Sequence, residues 1–305
     1  MTGHLVLVGG TAGGKKSVAL ELRRRHGLPL LSMDSVKVYR GMDVGTDKPP
    51  PAARGETGFR LLDLVGHDER FTAGDWLRAA AAEVGRAGGP VLIVGGTTLY
   101  LRLLLQGLCP APPADPALRA ELVALWEQQG ETEVRRRLAV SDPEAAARLL
   151  PGDAKRLLRA LEVAQLTGVP LTTWQREHTA PVVPGRFRVV ALRRAPDDAL
   201  RRVRRRVTAM LEFGLVDEVE ALARRAPFAR EPAAAIGYAE ALAVLAGRLP
   251  VAELPERLVV RTRQLLRKQR QHVEQLVPSA WVDVAPDASV EQATGLVERA
   301  FALRR

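Results

Sequence analysis

The 305-residue sequence contains one cysteine, Cys109. A single thiol excludes an internal disulfide framework and a zinc or iron–sulfur site built from several cysteines. No apolar run reaches the roughly 18 residues of a membrane-spanning helix. The opening residues also lack the charged and then apolar pattern of a secretory signal peptide. We therefore expect a soluble, cytoplasmic protein that does not contact a membrane.

Positive charge, in contrast, is abundant. The formal net charge is +10, and only six of the 45 basic residues are lysines, so most are arginines. Guanidinium groups match the geometry of phosphates and stack on bases. An excess of this size favours an anionic partner, with nucleic acid first. The alternative is an arginine-rich composition spread over solvated helix faces.

Short apolar runs alternate with helical patterns in much of the chain. The runs at residues 4–8, 28–35, 90–97 and 186–194 predict strands, and residues 281–285 could form a late one. Strands that alternate with helices indicate an α/β fold, with a mostly parallel sheet covered by helices on both faces. Ligands of such sheets bind beyond the carboxyl ends of the strands.

The middle of the chain differs, because only helical patterns follow a proline-rich break at residues 110–116. We predict an all-helical insertion domain over residues 114–182. The α/β core then comprises residues 1–113 and 183–305.

A glycine-rich loop follows the first predicted strand and opens a helix, which is the context of a P-loop. Glycine residues let backbone N–H groups turn toward a phosphate, and the helix N-terminus adds positive charge. A P-loop NTPase-like core is therefore predicted; the alternative is a glycine-rich turn without a ligand. The predicted diphosphate-binding residues are Gly9, Gly10, Thr11, Ala12, Gly13, Gly14, Lys15 and Lys16.

One residue departs from this motif. The position after the P-loop lysine normally carries Ser or Thr, whose hydroxyl holds Mg²⁺, but here it is Lys16. Ser17, a possible ligand instead, lies one place later, which on a helix is a rotation of about 100°. Lys16 could neutralise a diphosphate directly or repel the metal, so the use of Mg²⁺ is open.

Three further segments carry longer motifs. Residues 34–49 read DSVKVYRGMDVGTDKP, residues 95–108 read GGTTLYLRLLLQGL and residues 152–162 read GDAKRLLRALE. In this order they resemble the motifs DS-x-Q-VYRGMDIGTAKP, GGT-x-LY-x-x-ALL-x-GL and D-x-x-R-x-x-RALE of bacterial tRNA dimethylallyltransferases. Weaker matches follow at residues 209–222, 235–238 and 262–269.

This resemblance implies a reaction. These enzymes transfer a dimethylallyl group from dimethylallyl diphosphate to the exocyclic amine of the adenosine next to the anticodon on its 3′ side. Their tRNAs read codons that begin with U, and diphosphate leaves. The implied partners are the anticodon stem-loop of tRNA and dimethylallyl diphosphate, the implied cofactor is Mg²⁺, and the implied state is a monomer.

The resemblance also implies catalytic residues. Asp34 matches the family's base, which accepts the proton of the adenine amine. Thr97 and Arg206 match donors to the leaving diphosphate. Arg206 belongs to the run RRVRRRV, in which Arg205 or Arg202 is the alternative.

The resemblance finally implies residues that bind tRNA, with Lys37 in place of the family's common Gln. Without the resemblance, the basic residues among them would be interpreted as solvated helix faces. The predicted positions are Asp34, Ser35, Val36, Lys37, Thr97, Arg119, Lys155, Arg156, Leu157, Leu158 and Arg159.

Two other functions remain alternatives. The first is a family member that binds tRNA but has lost catalysis, which Lys16 and Lys37 would explain. The second is a P-loop kinase, or a prenyltransferase acting on free adenine nucleotides. Binding without product would identify the first, and ATP consumption or activity on AMP would identify the second.

Overall fold

The computed structural model describes residues 3–177, 179–277 and 281–303. The chain divides into two compact units. The first comprises residues 1–105 and 183–305, and the second comprises residues 106–182.

The first unit contains a six-stranded sheet with the strand order β3-β2-β4-β1-β5-β6. All of its neighbouring strands are parallel. The strands are β1 His4–Gly9, β2 Leu30–Met33, β3 Phe59–Arg60, β4 Leu92–Gly95, β5 Phe187–Arg193 and β6 Trp281–Asp283. The predicted α/β fold with a parallel sheet is confirmed.

Strand β1 lies in the middle of the sheet, where Val6 pairs with Ile93 on one side and Val189 on the other. Successive residues of a strand point to opposite faces, and Leu5, Val6, Leu7 and Val8 are all buried. Helices therefore cover both faces of the sheet, which explains why β1 is a continuous apolar run in the sequence.

Ten helices of this unit are described, together with short 3₁₀ segments at Pro51–Ala53 and Val251–Glu253. Helices α1 and α14 pack on the same face of the sheet, where Leu22 and Phe301 share an apolar cluster with Leu7 and Val190. The helices are α1 Lys15–His26, α2 Arg54–Thr57, α3 Ala73–Ala87, α4 Thr98–Gln106, α9 Pro196–Glu212, α10 Leu215–Arg225, α11 Arg230–Ala233, α12 Tyr238–Leu245, α13 Leu254–Leu276 and α14 Val290–Ala300.

The second unit consists of helices α5 Pro116–Ser141, α6 Pro143–Arg148, α7 Ala154–Thr167 and α8 Leu171–Glu177. Helix α5 bends at Gly130, whose φ is 74°. The buried Asp142 caps α6 by accepting the Ala145 N–H, and it also accepts the Thr172 hydroxyl. An antiparallel bridge between Leu108 and Ala180 joins the two ends of the unit. The unit therefore begins eight residues before the predicted boundary at residue 114.

Among the described residues, none of the helices has the combined length and apolar character needed to cross a membrane.

Candidate functional site

The glycine-rich loop connects β1 to α1 as the motif predicts. Gly14 has a φ of 90° at the N-terminus of α1, in the left-handed region that glycine adopts without strain. The loop is closed by a hydrogen bond from the Gly13 N–H to the Gly10 carbonyl at 3.2 Å. The Lys15 ammonium lies inside it and donates to the carbonyls of Gly9 and Gly10 at 2.9 and 2.8 Å.

The surroundings of Lys15 lower the pKa of its ammonium group. Burial, together with the positive charges of Lys37 and Arg206, lowers the pKa of Lys15 to about 7, although the negative charge of Asp34 acts in the opposite direction. Burial also lowers the pKa of Lys37. An anion placed here would favour the charged form of both lysines.

Gln269 of α13 fixes the loop from outside. Its Oε1 accepts the Thr11 N–H at 2.9 Å, and its Nε2 donates to the Gly96 carbonyl at 2.8 Å. One side chain thus connects the phosphate loop to the end of β4. Gln269 is not among the site residues predicted from the sequence, where its only signal is its place in the weakly matching segment 262–269.

Asp34 and Thr97 follow neighbouring strands, β2 and β4, and lie at the same edge of the sheet. The Oδ1 atom of Asp34 accepts the N–H groups of Val36 and Lys37 at 2.9 and 3.2 Å. The Thr97 hydroxyl oxygen accepts the Ser35 N–H at 3.0 Å. A Cβ atom at Gly95 would lie 1.9 Å from the Met33 carbonyl oxygen, so only glycine permits this approach of the two strand ends.

The structure places Arg206 of α9 beside the phosphate loop. Its guanidinium lies 3.4 Å from the Thr11 hydroxyl. Arg202 is paired with Asp198 at 3.1 Å, whereas Arg205 is exposed. Of the three arginines, Arg206 is therefore the best placed to meet a phosphate in the loop.

Two cavities adjoin at this edge of the sheet, of about 790 and 450 Å³. The first contains the phosphate loop with Lys15 and Lys37, and the second is lined by Ser35, Thr97 and His272. Both are lined by Thr11, Asp34, Thr46, Gly96, Arg206, Met210 and Gln269. A carboxylate and a guanidinium thus lie where the two cavities meet.

The loop that follows Lys37 is held by buried charges. Lys48, which is fully buried, pairs with Asp43 at 3.0 Å and with Asp63 at 2.7 Å. Glu218 of α10 accepts the N–H groups of Asp43 and Val44 at 2.9 and 2.7 Å. The sequence analysis named none of these residues as part of the site.

The residue that follows Lys15 does not present a metal-ligating group. The Lys16 ammonium bonds Asp47 Oδ1 at 2.6 Å, and an ammonium only donates hydrogen bonds. Ser17, the alternative ligand, is exposed at the first cavity. Among the residues that the structure describes, no group of three or more His, Cys, Asp or Glu could hold a metal ion. At the position of the hydroxyl ligand, Lys16 does not fit a P-loop magnesium site.

The remaining predicted tRNA-binding residues lie in the second unit. Arg119 and Arg159 both pair with the buried carboxylate of Glu162. Leu157 and Leu158 are buried in the core of that unit, so their side chains do not reach its surface. The exposed side chains of this set are Lys155 and Arg156.

Comparison with known proteins identifies the family. A family model described as IPP transferase matches residues 37–275, and one described as isopentenyl transferase matches residues 2–62. The chain belongs to the IPP transferase family. It is 39% identical to tRNA dimethylallyltransferase 2 of Geotalea uraniireducens, over 92% of this chain and 91% of that protein. It is 42% identical to the tRNA dimethylallyltransferase of Thioalkalivibrio sulfidiphilus, over 87% of this chain and 85% of that protein.

Solved structures of IPP transferase relatives share the fold. The tRNA isopentenylpyrophosphate transferase of Bacillus halodurans superposes with a TM-score of 0.71 at 28% identity, over 99% of this chain and 96% of that one. A eukaryotic dimethylallyltransferase described as acting on tRNA superposes with a TM-score of 0.80 at 22% identity, over 99% of this chain and 78% of that one. At that identity, the second likeness concerns the fold alone.

Proposed function

We propose that this IPP transferase family member transfers a dimethylallyl group from dimethylallyl diphosphate to tRNA. The acceptor is the exocyclic amine of the adenosine that follows the anticodon on its 3′ side, in tRNAs that read codons beginning with U. The observation that carries the proposal is the position of Asp34 and Arg206, which line both cavities. One cavity suits the donor and the other the acceptor base.

The donor fits the first cavity by charge and polarity. The amides of residues 9–14 and the Lys15 ammonium suit a diphosphate, and Arg206 adds a second cation beside the loop. Apolar side chains of the same cavity, among them Leu62, Met210 and Phe213, suit the dimethylallyl group. Cations positioned before the reaction stabilise the charge that the diphosphate gains as it leaves.

The acceptor base fits the second cavity, beside Asp34. An adenine in an anticodon loop must leave its stack to reach such a pocket. As the amine nitrogen bonds to the allylic carbon, the carbon–oxygen bond breaks and its electron pair goes to the diphosphate. The displaced amine proton goes to the Asp34 carboxylate, whose Oδ2 carries neither of the two backbone bonds.

Magnesium has no step in this mechanism, because Lys16 occupies the position of its hydroxyl ligand. When bound to a diphosphate, the ion would supply positive charge in addition to that of Lys15 and Arg206. The function of the helical unit in tRNA binding, the monomeric state and the cytoplasmic location remain predictions.

A transfer assay tests the proposal. The full chain is mixed with labelled dimethylallyl diphosphate and an unmodified anticodon stem-loop that carries three consecutive adenosines on the 3′ side. The matched control stem-loop carries guanosine at the position next to the anticodon. Nuclease digestion and mass spectrometry locate the label.

Each outcome identifies one function. Dimethylallyladenosine next to the anticodon, with none in the control, supports the proposal. Salt-sensitive binding of the stem-loop without product, with and without magnesium, would identify a family member that has lost catalysis. Product on free AMP alone, or consumption of ATP, would contradict tRNA as the acceptor.

A further inference from the structure

Three residues that depart from the family motifs lie together in the first cavity. Lys16 follows the P-loop lysine, where Ser or Thr is usual, and Lys37 stands where Gln is common. Asp47 stands where the quoted GMDIGTAKP segment has Ala. We call these three residues the lysine–aspartate cluster. They come from the start of α1 and from two places in the loop after β2.

The contacts within the lysine–aspartate cluster are direct. Lys16 Nζ lies 2.6 Å from Asp47 Oδ1 and 3.4 Å from the Asp47 carbonyl oxygen. Lys37 Nζ donates to the same carbonyl at 3.1 Å. Asp47 has a φ of 55°, a left-handed conformation that aspartate tolerates better than most residues. All three side chains line the cavity that contains the phosphate loop.

Stability does not explain this arrangement. The side chains of Lys16 and Asp47 are 36% and 46% exposed, and exposed ion pairs stabilise a fold little. Lys16 is, however, at a position where a protein side chain can contact a bound phosphate. Lys16 is the second residue of α1, at the helix N-terminus where anions bind.

The chemistry of an ammonium at this position differs from that of a hydroxyl. A Ser or Thr hydroxyl binds a divalent cation, which in turn contacts the phosphates. An ammonium cannot ligate a cation and repels it, but it donates charge-assisted hydrogen bonds to phosphate oxygens directly. With Lys16, the positive charge at this position thus belongs to the protein and not to a bound metal ion.

We propose that Lys16, oriented by Asp47 and assisted by the charge of Lys37, takes the place of a divalent cation at the diphosphate. Binding of the diphosphate, and its departure during transfer, then need no metal ion. The inference rests on the proposed function for the transfer step. For diphosphate binding, the inference does not depend on the proposed function, because any diphosphate bound in the loop would contact the same cluster.

Binding of inorganic diphosphate provides the first test. Isothermal titration calorimetry compares the full chain with its Lys16→Thr variant, in EDTA and in excess magnesium. For the parent we expect Kd values within about threefold of each other under the two conditions, since a protein charge acts in both. Lys16→Thr should bind about tenfold more weakly in EDTA and regain affinity with magnesium, because the hydroxyl restores a ligand.

A matched control removes one positive charge elsewhere on the same helix. Arg24 of α1 is exposed and pairs with Glu21, so Arg24→Thr should bind diphosphate as the parent does. Lys16 is itself partly exposed, and circular dichroism and thermal unfolding verify that both variants fold.

The transfer assay, repeated in EDTA and in magnesium, provides the second test. Product in EDTA at a rate within about threefold of that in magnesium supports the inference. A parent protein that makes product only with magnesium, or that binds diphosphate at least tenfold more weakly in EDTA, overturns it while leaving the proposed function intact. Unchanged binding by Lys16→Thr in EDTA also overturns it. Absence of product under every condition contradicts the proposed function, and diphosphate binding still decides the role of Lys16.

Discussion

The structural role of the Asp34 side chain can be tested separately from its role as a base. Its Oδ1 holds the turn to Val36 and Lys37, and an Asn oxygen can accept the same bonds. We therefore predict that Asp34→Asn keeps the affinity for the anticodon stem-loop within about twofold and lowers kcat by about 100-fold or more, because an amide cannot accept the amine proton. Single-turnover kinetics and filter binding measure the two quantities.

The control for this substitution is Asp287→Asn, at an exposed position of the same unit. It should leave both quantities unchanged. Turnover by Asp34→Asn equal to that of the parent would contradict the assignment of Asp34 as the base.

Lys15 provides a prediction about pH. Its pKa is lowered to about 7 by burial, so at pH 8 the free site holds Lys15 mostly neutral. Bound diphosphate favours the ammonium form, so binding at pH 8 should take up a proton at Lys15, and Kd should increase as the pH rises above 7. Below pH 6, Lys15 is already charged, and this uptake should vanish.

Titration calorimetry in two buffers of different ionisation enthalpy measures the uptake. The Lys15→Arg variant is the control, because a guanidinium stays charged over this range and the ionisation of diphosphate itself is common to both proteins. At pH 8 the parent should take up about one proton more than Lys15→Arg. Equal uptake by both proteins would contradict the lowered pKa.

The site residues that follow a predicted strand could be predicted from the sequence. Hydrogen-bond partners that are far apart in the chain could not. Asp34 and Thr97 each come shortly after a predicted strand, and Lys15 ends the glycine-rich loop that follows another. Their common position at one sheet edge therefore follows from parallel strands. Gln269 bonds residues that are 258 and 173 positions away in the chain. No local pattern marks such a contact.

At the scale of elements, helix α10 supports the loop at residues 43–45. Glu218 accepts three of its backbone N–H groups and the Tyr238 hydroxyl, the last at 2.6 Å. Glu218→Gln replaces one acceptor oxygen by an NH₂ group, which can only donate. This NH₂ group would then face the backbone N–H groups or the Tyr238 hydroxyl, which are donors themselves. We predict that the free energy of unfolding falls by about 1–3 kcal/mol, as measured by urea denaturation.

Glu220→Gln, on the same helix, is the matched control. Glu220 pairs with Arg224 at the surface, so its loss should change the free energy of unfolding by less than about 0.5 kcal/mol. Equal values for both variants would show that Glu218 does not support the loop.

Elements with a strong pattern were predicted well. Strands β2, β4, β5 and β6 lie within the predicted apolar runs, and β1 extends one residue beyond its run, to Gly9. Strand β3 was missed, because two residues at the sheet edge carry no periodic signal.

At the scale of the whole molecule, the net charge of +10 predicts salt-dependent binding of tRNA. Each neutralised phosphate contributes roughly 0.7–0.9 to the slope of log affinity against log salt, so we expect a slope of about −3 or steeper. The double variant Lys155→Glu with Arg156→Glu should lower affinity for the stem-loop about tenfold and flatten the slope by about 1–2. Fluorescence anisotropy at several salt concentrations measures both.

A second double variant serves as control. Arg136→Glu with Arg137→Glu reverses two exposed charges of the same unit that pair with Glu133. Neither double variant should change the affinity for diphosphate. Equal losses of tRNA affinity in both would show that overall charge, and not the start of α7, determines binding.

The sequence by itself determined the class of fold, the phosphate loop and the family, because each depends on residues close together in the chain. Strand, loop and helix follow one another locally, and the motif of residues 34–49 is contiguous. Only the tertiary structure decided that Lys16, Lys37 and Asp47 contact each other, and that Asp34 and Arg206 line two adjoining cavities. Such contacts arise when the sheet and its helices pack, which brings together residues from distant parts of the chain.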